Sequence, residues 1–330
     1  MGKPMRVLVV DDDVQLCELI CDHLGSVGMA ARAAFDGDGM RREMARACFD
    51  LVILDRMMPG EDGIALCREI RLKLDTPIIM VTAMNESVHV LRGFESGVDD
   101  YLGKPFAPSE LVARIHSVLR RASADRERET IFRLSKAAEF RDPETGGHLQ
   151  RMAEYARLIA KHLGLPAEDQ RMILEAAPMH DVGKVGTPDD ILRKPGKLTP
   201  EEIDIMKQHT TMGMQILQGS KSRILQTACV IAHTHHEKFD GSGYPRGLSG
   251  EAIPLMGRIV AVADVFDALT SKRPYKPAWS IDRAGDSLRE GAGAHFDPHC
   301  VDAFFSGWTA ALEIHDRQRE HVSADLAIAA

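Results

Sequence analysis

Several things are scarce or missing in this chain of 330 residues, and each closes a door. No stretch approaches the roughly 20 consecutive apolar residues that a membrane helix needs. The opening MGKPMRVLVVDDD reaches acidic residues after only four apolar ones, which is not the pattern of a secretory leader, and a cytoplasmic protein without membrane insertion is expected. The six cysteines fall at 17, 21, 48, 67, 229 and 300 with neither CxxC nor zinc-finger spacing, so they read as reduced thiols, Cys17 and Cys21 near His23 included. A surplus of basic charge is absent as well. The formal net charge of −8 argues against a broad nucleic-acid surface, and nothing after the first half has the basic helix-turn-helix of a DNA-binding regulator.

What is present falls into two halves. From residue 5 to about 120, short β-rich runs (Val7–Val10, Leu51–Leu54, Ile78–Val81) alternate with stretches of helical periodicity (Val14–Leu24, Ile64–Leu72). This alternation predicts an α/β domain, a parallel sheet with helices on both faces and its chemistry at the carboxyl ends of the strands. Acidic residues stand at those ends: Asp11 and Asp12 after the first run, Asp55 after the second. Three carboxylates there make a hard-oxygen site suited to Mg2+. Thr82 at the end of the third run and Lys104 in YLGKPF add a hydroxyl and an ammonium that would neutralise a phosphoryl group on Asp55.

Residues 121–130, RASADRERET, lack both proline and glycine and read as an exposed helical linker. Beyond them strand signals nearly vanish and an all-α domain is expected. Asp142-Pro143 and Asp297-Pro298 look like helix starts, and a loop rich in glycine and proline, Phe239–Pro254, interrupts the helical pattern.

The second half also holds Glu144 and His148, the doublet His180–Asp181, His209, the doublet His235–His236, and Asp264. Glu144 and His148 share one helix face at a spacing of four. On a helix, His180 and Asp181 would point about 100° apart, letting Asp181 bridge two metals while His180 serves one. The same argument has His235 and His236 facing different metals. Asp264 lies in the apolar stretch RIVAVADVFDAL, where a lone carboxylate is costly and a cation would offset that cost. Imidazole and carboxylate without thiolate favour Fe, foremost, or Mn or Zn, in an open catalytic site. Eight such groups stay net positive with two or three divalent ions, which suits an anionic phosphodiester attacked by a metal-bridged hydroxide. Lys184, one turn past Asp181, is placed to hold a phosphate oxygen. His162, His233, His295 and His299 read as structural.

These stretches resemble two known families. With LDRMMPGEDG and YLGKPF, residues 5–120 are similar to two-component receiver domains, of flavodoxin-like five-stranded fold. The resemblance implies that Asp55 takes a phosphoryl group from a cognate sensor histidine kinase. It implies too that Asp11, Asp12, Asp55 and the Met57 carbonyl hold Mg2+, and that Thr82 and Tyr101 reposition on phosphorylation. Arg56 is more polar than many receivers carry beside the acceptor. The stretches DPETGGH, APMHDVGKVGTPD, EEIDIMKQHTTMG, HHEKFDGSGYP, VADVFDALTSKRPYK and AHFDP resemble the HD-GYP phosphodiesterases over roughly residues 131–310. This second resemblance implies hydrolysis of cyclic di-GMP to pGpG or onward to GMP. Arg273 and Lys276 would join Lys184 on the substrate phosphates, and Tyr244 would border the pocket in the Gly243-Tyr244-Pro245 loop. Glu144 would favour three metals over two. Thr187 stands where the family usually has Ile.

The expected layout is a receiver over residues 1–121, a helical linker over 122–140, the phosphohydrolase over 131–318 and a frayed tail over 319–330. Receiver pairing through the linker would make a homodimer. Hydrolysis of another cyclic dinucleotide, or a non-hydrolytic signalling adaptor, are the alternatives.

Overall fold

The computed structural model describes residues 4–83, 97–141, 147–271 and 277–317. It divides into two compact units, Met1–Glu127 and Arg128–Ala330.

Unit one is the α/β half. Its strands are β1 (Arg6–Val10), β2 (Ala30–Ala34), β3 (Leu51–Asp55), β4 (Ile78–Ala83) and β5 (Asp100–Lys104). All pair in parallel in the order β2-β1-β3-β4-β5. Helices α1 (Val14–Ser26), α2 (Gly37–Arg46) and α3 (Gly63–Lys73) cross between them. Strand side chains alternate between two faces. Val7, Val9 and Ile53 therefore meet Ile20 and Leu24 of α1 on one side, while Leu8, Val10 and Leu54 meet Met40 of α2 and Leu66 and Ile70 of α3 on the other. Both faces being covered explains why the strand runs are apolar throughout rather than alternating. The order reverses at β1, so a crevice opens outside the carboxyl ends of β1 and β3.

Helix α4 (Pro108–Glu139) runs unbroken for 32 residues, through the stretch read as a helical linker. Its early residues Leu111, Ile115 and Val118 belong to the receiver-side core, and its late residues Ile131 and Ala138 to the core of unit two.

Unit two is helical. Its elements are α5 (His148–His162), α6 (Ala167–Ala176), α7 (Asp189–Leu192), α8 (Pro200–Lys207), α9 (His209–Leu217), α10 (Arg223–Thr234), α11 (Leu255–Thr270), α12 (Ile281–Glu290) and α13 (Pro298–Ser306). Two short 3-10 turns, 177–179 and 182–186, separate α6 from α7. The fully buried rings of Tyr155, Phe266 and Phe304 pack edge to face at 4.8–6.0 Å and join α5, α11 and α13. The start signal at Asp297-Pro298 is where α13 begins, with Asp297 capping the His299 amide and Pro298 in the first turn. Its counterpart at Asp142-Pro143 lies outside the described residues.

Candidate metal centre and receiver pocket

Four histidines of unit two have their rings fixed from behind. The Nδ1 of His180 faces the Ala177 carbonyl at 3.1 Å, that of His209 the Met206 carbonyl at 2.7 Å and that of His235 the Ile231 carbonyl at 3.1 Å. His148 Nδ1 meets Asp267 Oδ2 at 2.6 Å. Carbonyls and carboxylates only accept, so each Nδ1 carries the proton and donates it. Each Nε2 is left with its lone pair facing the interior, the form of imidazole that ligates a metal.

Those lone pairs converge. His209 Nε2 lies 3.2 Å and His235 Nε2 3.6 Å from Asp181 Oδ1, while His180 Nε2 lies 3.2 Å from Asp181 Oδ2. Asp264 Oδ1 stands 3.7 Å from His148 Nε2 and 3.9 Å from His180 Nε2. The Nε2 atoms of His180, His209 and His235, and Asp181 Oδ1, are buried with no hydrogen-bond partner among the described residues. Ligands at about 2.0–2.2 Å around one ion stand at just such mutual spacings. Two groups are able to hold a metal: Asp181, His209, His235 and His236, and beside it His148, His180 and Asp264. The residues present fit divalent ions.

Burial and neighbouring charges pull on these groups in opposite directions. Burial alone would raise the Asp181 carboxyl, but Lys184 and His180 beside it hold its pKa well below the usual range. Burial alone would lower His180, yet the neighbouring Asp181 charge wins and its pKa is raised. Burial depresses both His235 and His236, the latter strongly, so they stay neutral.

Two local expectations give way. The His180–Asp181 doublet is not on an α-helix. Pro178 sits in the 3-10 turn that follows α6, and Gly183 packs so tightly on α9 that a Cβ there would stand 1.9 Å from the His209 carbonyl oxygen. The doublet is caught between two 3-10 turns, and that kink sends the His180 ring towards His148 while Asp181 reaches His209. His235 and His236 do not face different groups either. α10 ends at Thr234, and the two rings lie 4.0 Å apart at 42°, both in the group of Asp181 and His209.

The Gly-Tyr-Pro loop is drawn against this centre by Glu237, which is buried and accepts hydrogen bonds from the amides of Arg246 (2.8 Å) and Leu248 (2.9 Å). Gly243 is needed where it stands, because a Cβ would meet the Lys238 nitrogen at 2.2 Å. The Tyr244 ring ends 4.8 Å from His236 and beneath the Lys207 ammonium at 5.7 Å, and burial raises its hydroxyl pKa.

In unit one, Asp11, Asp12 and Asp55 meet at the crevice between β1 and β3 as a third group able to hold a cation. Lys104 Nζ spans two of them, 2.6 Å from Asp11 Oδ2 and 2.7 Å from Asp55 Oδ1. Burial would lower the lysine pKa, but the paired carboxylates outweigh it and raise it. The Met57 amide donates to Asp55 Oδ2 at 2.8 Å. Thr82 is buried near the end of β4, and Tyr101 on β5 packs against the core beside α2 and α3.

The profile of the response regulator receiver domain matches residues 7–116, and that of the HD domain matches residues 133–300. The cyclic di-GMP phosphodiesterase response regulator RpfG of Xanthomonas campestris pv. campestris is 42% identical, covering 92% of this chain and 88% of that one. The chain belongs to the phosphodiesterase response regulators that join a receiver to an HD domain. Two further proteins are similar to this chain. A cyclic di-GMP phosphodiesterase of Thermotoga maritima is 36% identical over 96% of this chain and 94% of its own. The 3'3'-cGAMP-specific phosphodiesterase 2 of Vibrio cholerae is 47% identical, over 57% of this chain and 36% of its own.

Within the HD domain the described residues bring together seven of the eight groups singled out from the sequence. Glu144, Arg273 and Lys276 lie outside the described residues. His162, His233, His295 and His299 belong to neither metal-capable group, and Cys17, Cys21 and His23 form none. Asp267, completely buried, escaped the sequence reading. It accepts from His148 Nδ1 and from Arg151 Nε, each at 2.6 Å, and so orients the imidazole. Its signal was available: a second carboxylate three residues after Asp264 shares its side of a buried helix. Glu237 carried no comparable signal, since its partners are loop amides nine and eleven residues away.

No helix among the described residues is long and apolar enough to cross a membrane.

Proposed function

We propose that this protein is a phosphorylation-regulated, cytoplasmic hydrolase of cyclic di-GMP that opens the diester to pGpG or onward to GMP. The observation that carries the proposal is the joining of the two metal-capable groups through the adjacent His180 and Asp181. In this reading His148, His180, Asp264 and Asp181 would hold one ion, Asp181, His209, His235 and His236 would hold a second, and Glu144 would serve a third. Iron is the first choice, with manganese or zinc as alternatives. The bound ions supply Lewis acidity, easing deprotonation of water and offsetting charge on phosphorus.

The protein's own groups do the remainder. The Lys184 ammonium, 2.7 Å from Asp181 Oδ2, is poised to exchange that partner for a phosphate oxygen. Arg273 and Lys276 join Lys184 on the substrate phosphates, and Tyr244 forms a wall of the pocket on the side of His236. Asp267 and the backbone carbonyls keep His148, His180, His209 and His235 each in one tautomer.

On the receiver side, Asp55 accepts the phosphoryl group from a sensor kinase with Mg2+ held by Asp11, Asp12, Asp55 and the Met57 carbonyl. Lys104, Thr82 and Tyr101 respond to it. Phosphorylation alters turnover only by favouring one arrangement of the catalytic domains, and receiver pairing through the linker in a homodimer is the route.

A second substrate is favoured by one finding, the 47% identity over 57% of this chain to a 3'3'-cGAMP-specific enzyme. Anaerobically purified protein, analysed for metal and then incubated with each dinucleotide, separates the readings by product chromatography. Release of pGpG or GMP from cyclic di-GMP at the higher kcat/KM is expected. Preference for 3'3'-cGAMP would select the alternative, and cleavage of neither would overturn the assignment.

A further inference from the structure

Arg141 stands two residues beyond the end of α4, and its guanidinium is spent on the segment that carries Lys184. Nη1 donates to the carbonyls of Val185 and, at 3.4 Å, of Lys184 itself. Nη2 donates to the Thr187 carbonyl at 2.9 Å and to Asp189 Oδ1 at 2.7 Å. The Arg141 backbone is anchored in turn, because Arg193 Nε donates to its carbonyl at 2.7 Å. The 3-10 turn 182–186 ends inside this grip: the Thr187 amide closes it on the Lys184 carbonyl at 3.0 Å, and the guanidinium takes the Val185 and Thr187 carbonyls beside it. A planar guanidinium satisfies several of them at once, which a lysine ammonium in the same place would do poorly.

The opposite end of the segment is held independently. Gly183 lies directly on α9, and Asp181 faces His209 and His235. The segment is therefore fixed twice, with the metal-facing end secured by packing and the Lys184–Thr187 end by Arg141.

We propose that Arg141 is a positioning residue that sets where the Lys184 ammonium stands, and thereby governs how tightly the substrate phosphate is gripped. This rests on the reading of Lys184 as a phosphate ligand. Because the Asp181 end has its own support, losing Arg141 releases the lysine without releasing metal.

The test is a double-mutant cycle in the full-length, metal-loaded protein with Arg141→Gln, Lys184→Ala and the pair, together with Arg141→Lys. Arg141→Gln raises KM by about tenfold or more, as expected for a displaced binding group, with a smaller change in kcat and unchanged metal per chain. Arg141→Lys recovers only part of the loss. In the Lys184→Ala background, Arg141→Gln adds nothing further. A merely structural role would reduce the folded fraction, so the losses would multiply in the double variant, and that result overturns the proposal, as does loss of metal from Arg141→Gln alone. If the wild type cleaves bis(p-nitrophenyl) phosphate but not cyclic di-GMP, the substrate assignment falls and the same cycle, run on the simple diester, judges Arg141 by the same criterion. Inactivity on both diesters overturns the two together.

Discussion

The two regions of this molecule able to hold a cation meet one electrostatic problem in opposite ways. In the receiver, carboxylates gather at the ends of neighbouring parallel strands, and Lys104 already spans Asp11 and Asp55. Repulsion between the acids is offset inside the protein, which suits a pocket that is charged and discharged by a phosphoryl group. In the helical unit, the groups come from α5, α9, α11, the end of α10 and the kink between two 3-10 turns. Here the lone pairs of His180, His209 and His235 are turned inward while their Nδ1 protons are tied to backbone carbonyls. The helical cluster leaves its inward lone pairs without an internal countercharge, whereas Lys104 supplies one to the receiver's acids.

The contrast breaks most sharply at Asp181, which faces both groups. Asp181→Ala is expected to cost more than about a thousandfold in kcat and to lower the metal found per chain, since even outer partners of a metal site are worth roughly 10–100-fold. Retained turnover with a full metal complement would sink the two-group reading. Asp267→Ala tests the support beneath the site. It frees the His148 ring and strands the Arg151 guanidinium, so a 10–100-fold loss of activity or metal affinity is expected, along with about 3–5 kcal/mol of stability by denaturant unfolding. Asp267→Asn, which still accepts a hydrogen bond, should do less harm on both measures.

Chelation sharpens the same comparison. Stripping metal and then restoring it should lower and recover the unfolding temperature of the helical unit by several degrees, because ligand binding to the native state adds stability. The receiver transition should move far less, Lys104 having supplied its countercharge. Asp55→Ala should leave the basal rate within about twofold and abolish any change on adding a small-molecule phosphodonor. A response that persists would disconnect the receiver from catalysis. The smallest effect belongs to a residue that takes part in none of the metal-capable groups. Thr199 closes a capping box with Glu202 at the start of α8, and Thr199→Ala should cost about 1 kcal/mol of stability with kcat unchanged.

Much of this was legible because the signals are local. A buried parallel strand must be apolar on both faces, so β1, β3 and β4 stood out from Val7–Val10, Leu51–Leu54 and Ile78–Val81. Acidic residues directly after such runs fall at one edge of the sheet by topology alone. The histidines and acids of the second half were equally conspicuous as residue types. Their division between the two groups was not, because it turns on the kink that Pro178 and Gly183 impose on the His180–Asp181 doublet and on α10 stopping one residue before His235. Helical spacing misassigned His236 for that reason.

The order and chemistry of the residues, by themselves, determined that a parallel α/β half precedes a helical one, that an acidic pocket lies at the strand ends, and that imidazole and carboxylate without thiolate await a metal. Tertiary structure alone decided which lone pairs meet, that Asp267 holds His148 and Glu237 the Gly-Tyr-Pro loop, and that Arg141 clasps the segment bearing Lys184. The physical reason is reach. Periodicity reports on neighbours within a turn or two along the chain, whereas a ligand set and its supports join residues as far apart as His148 and Asp267, whose approach only the packed core enforces.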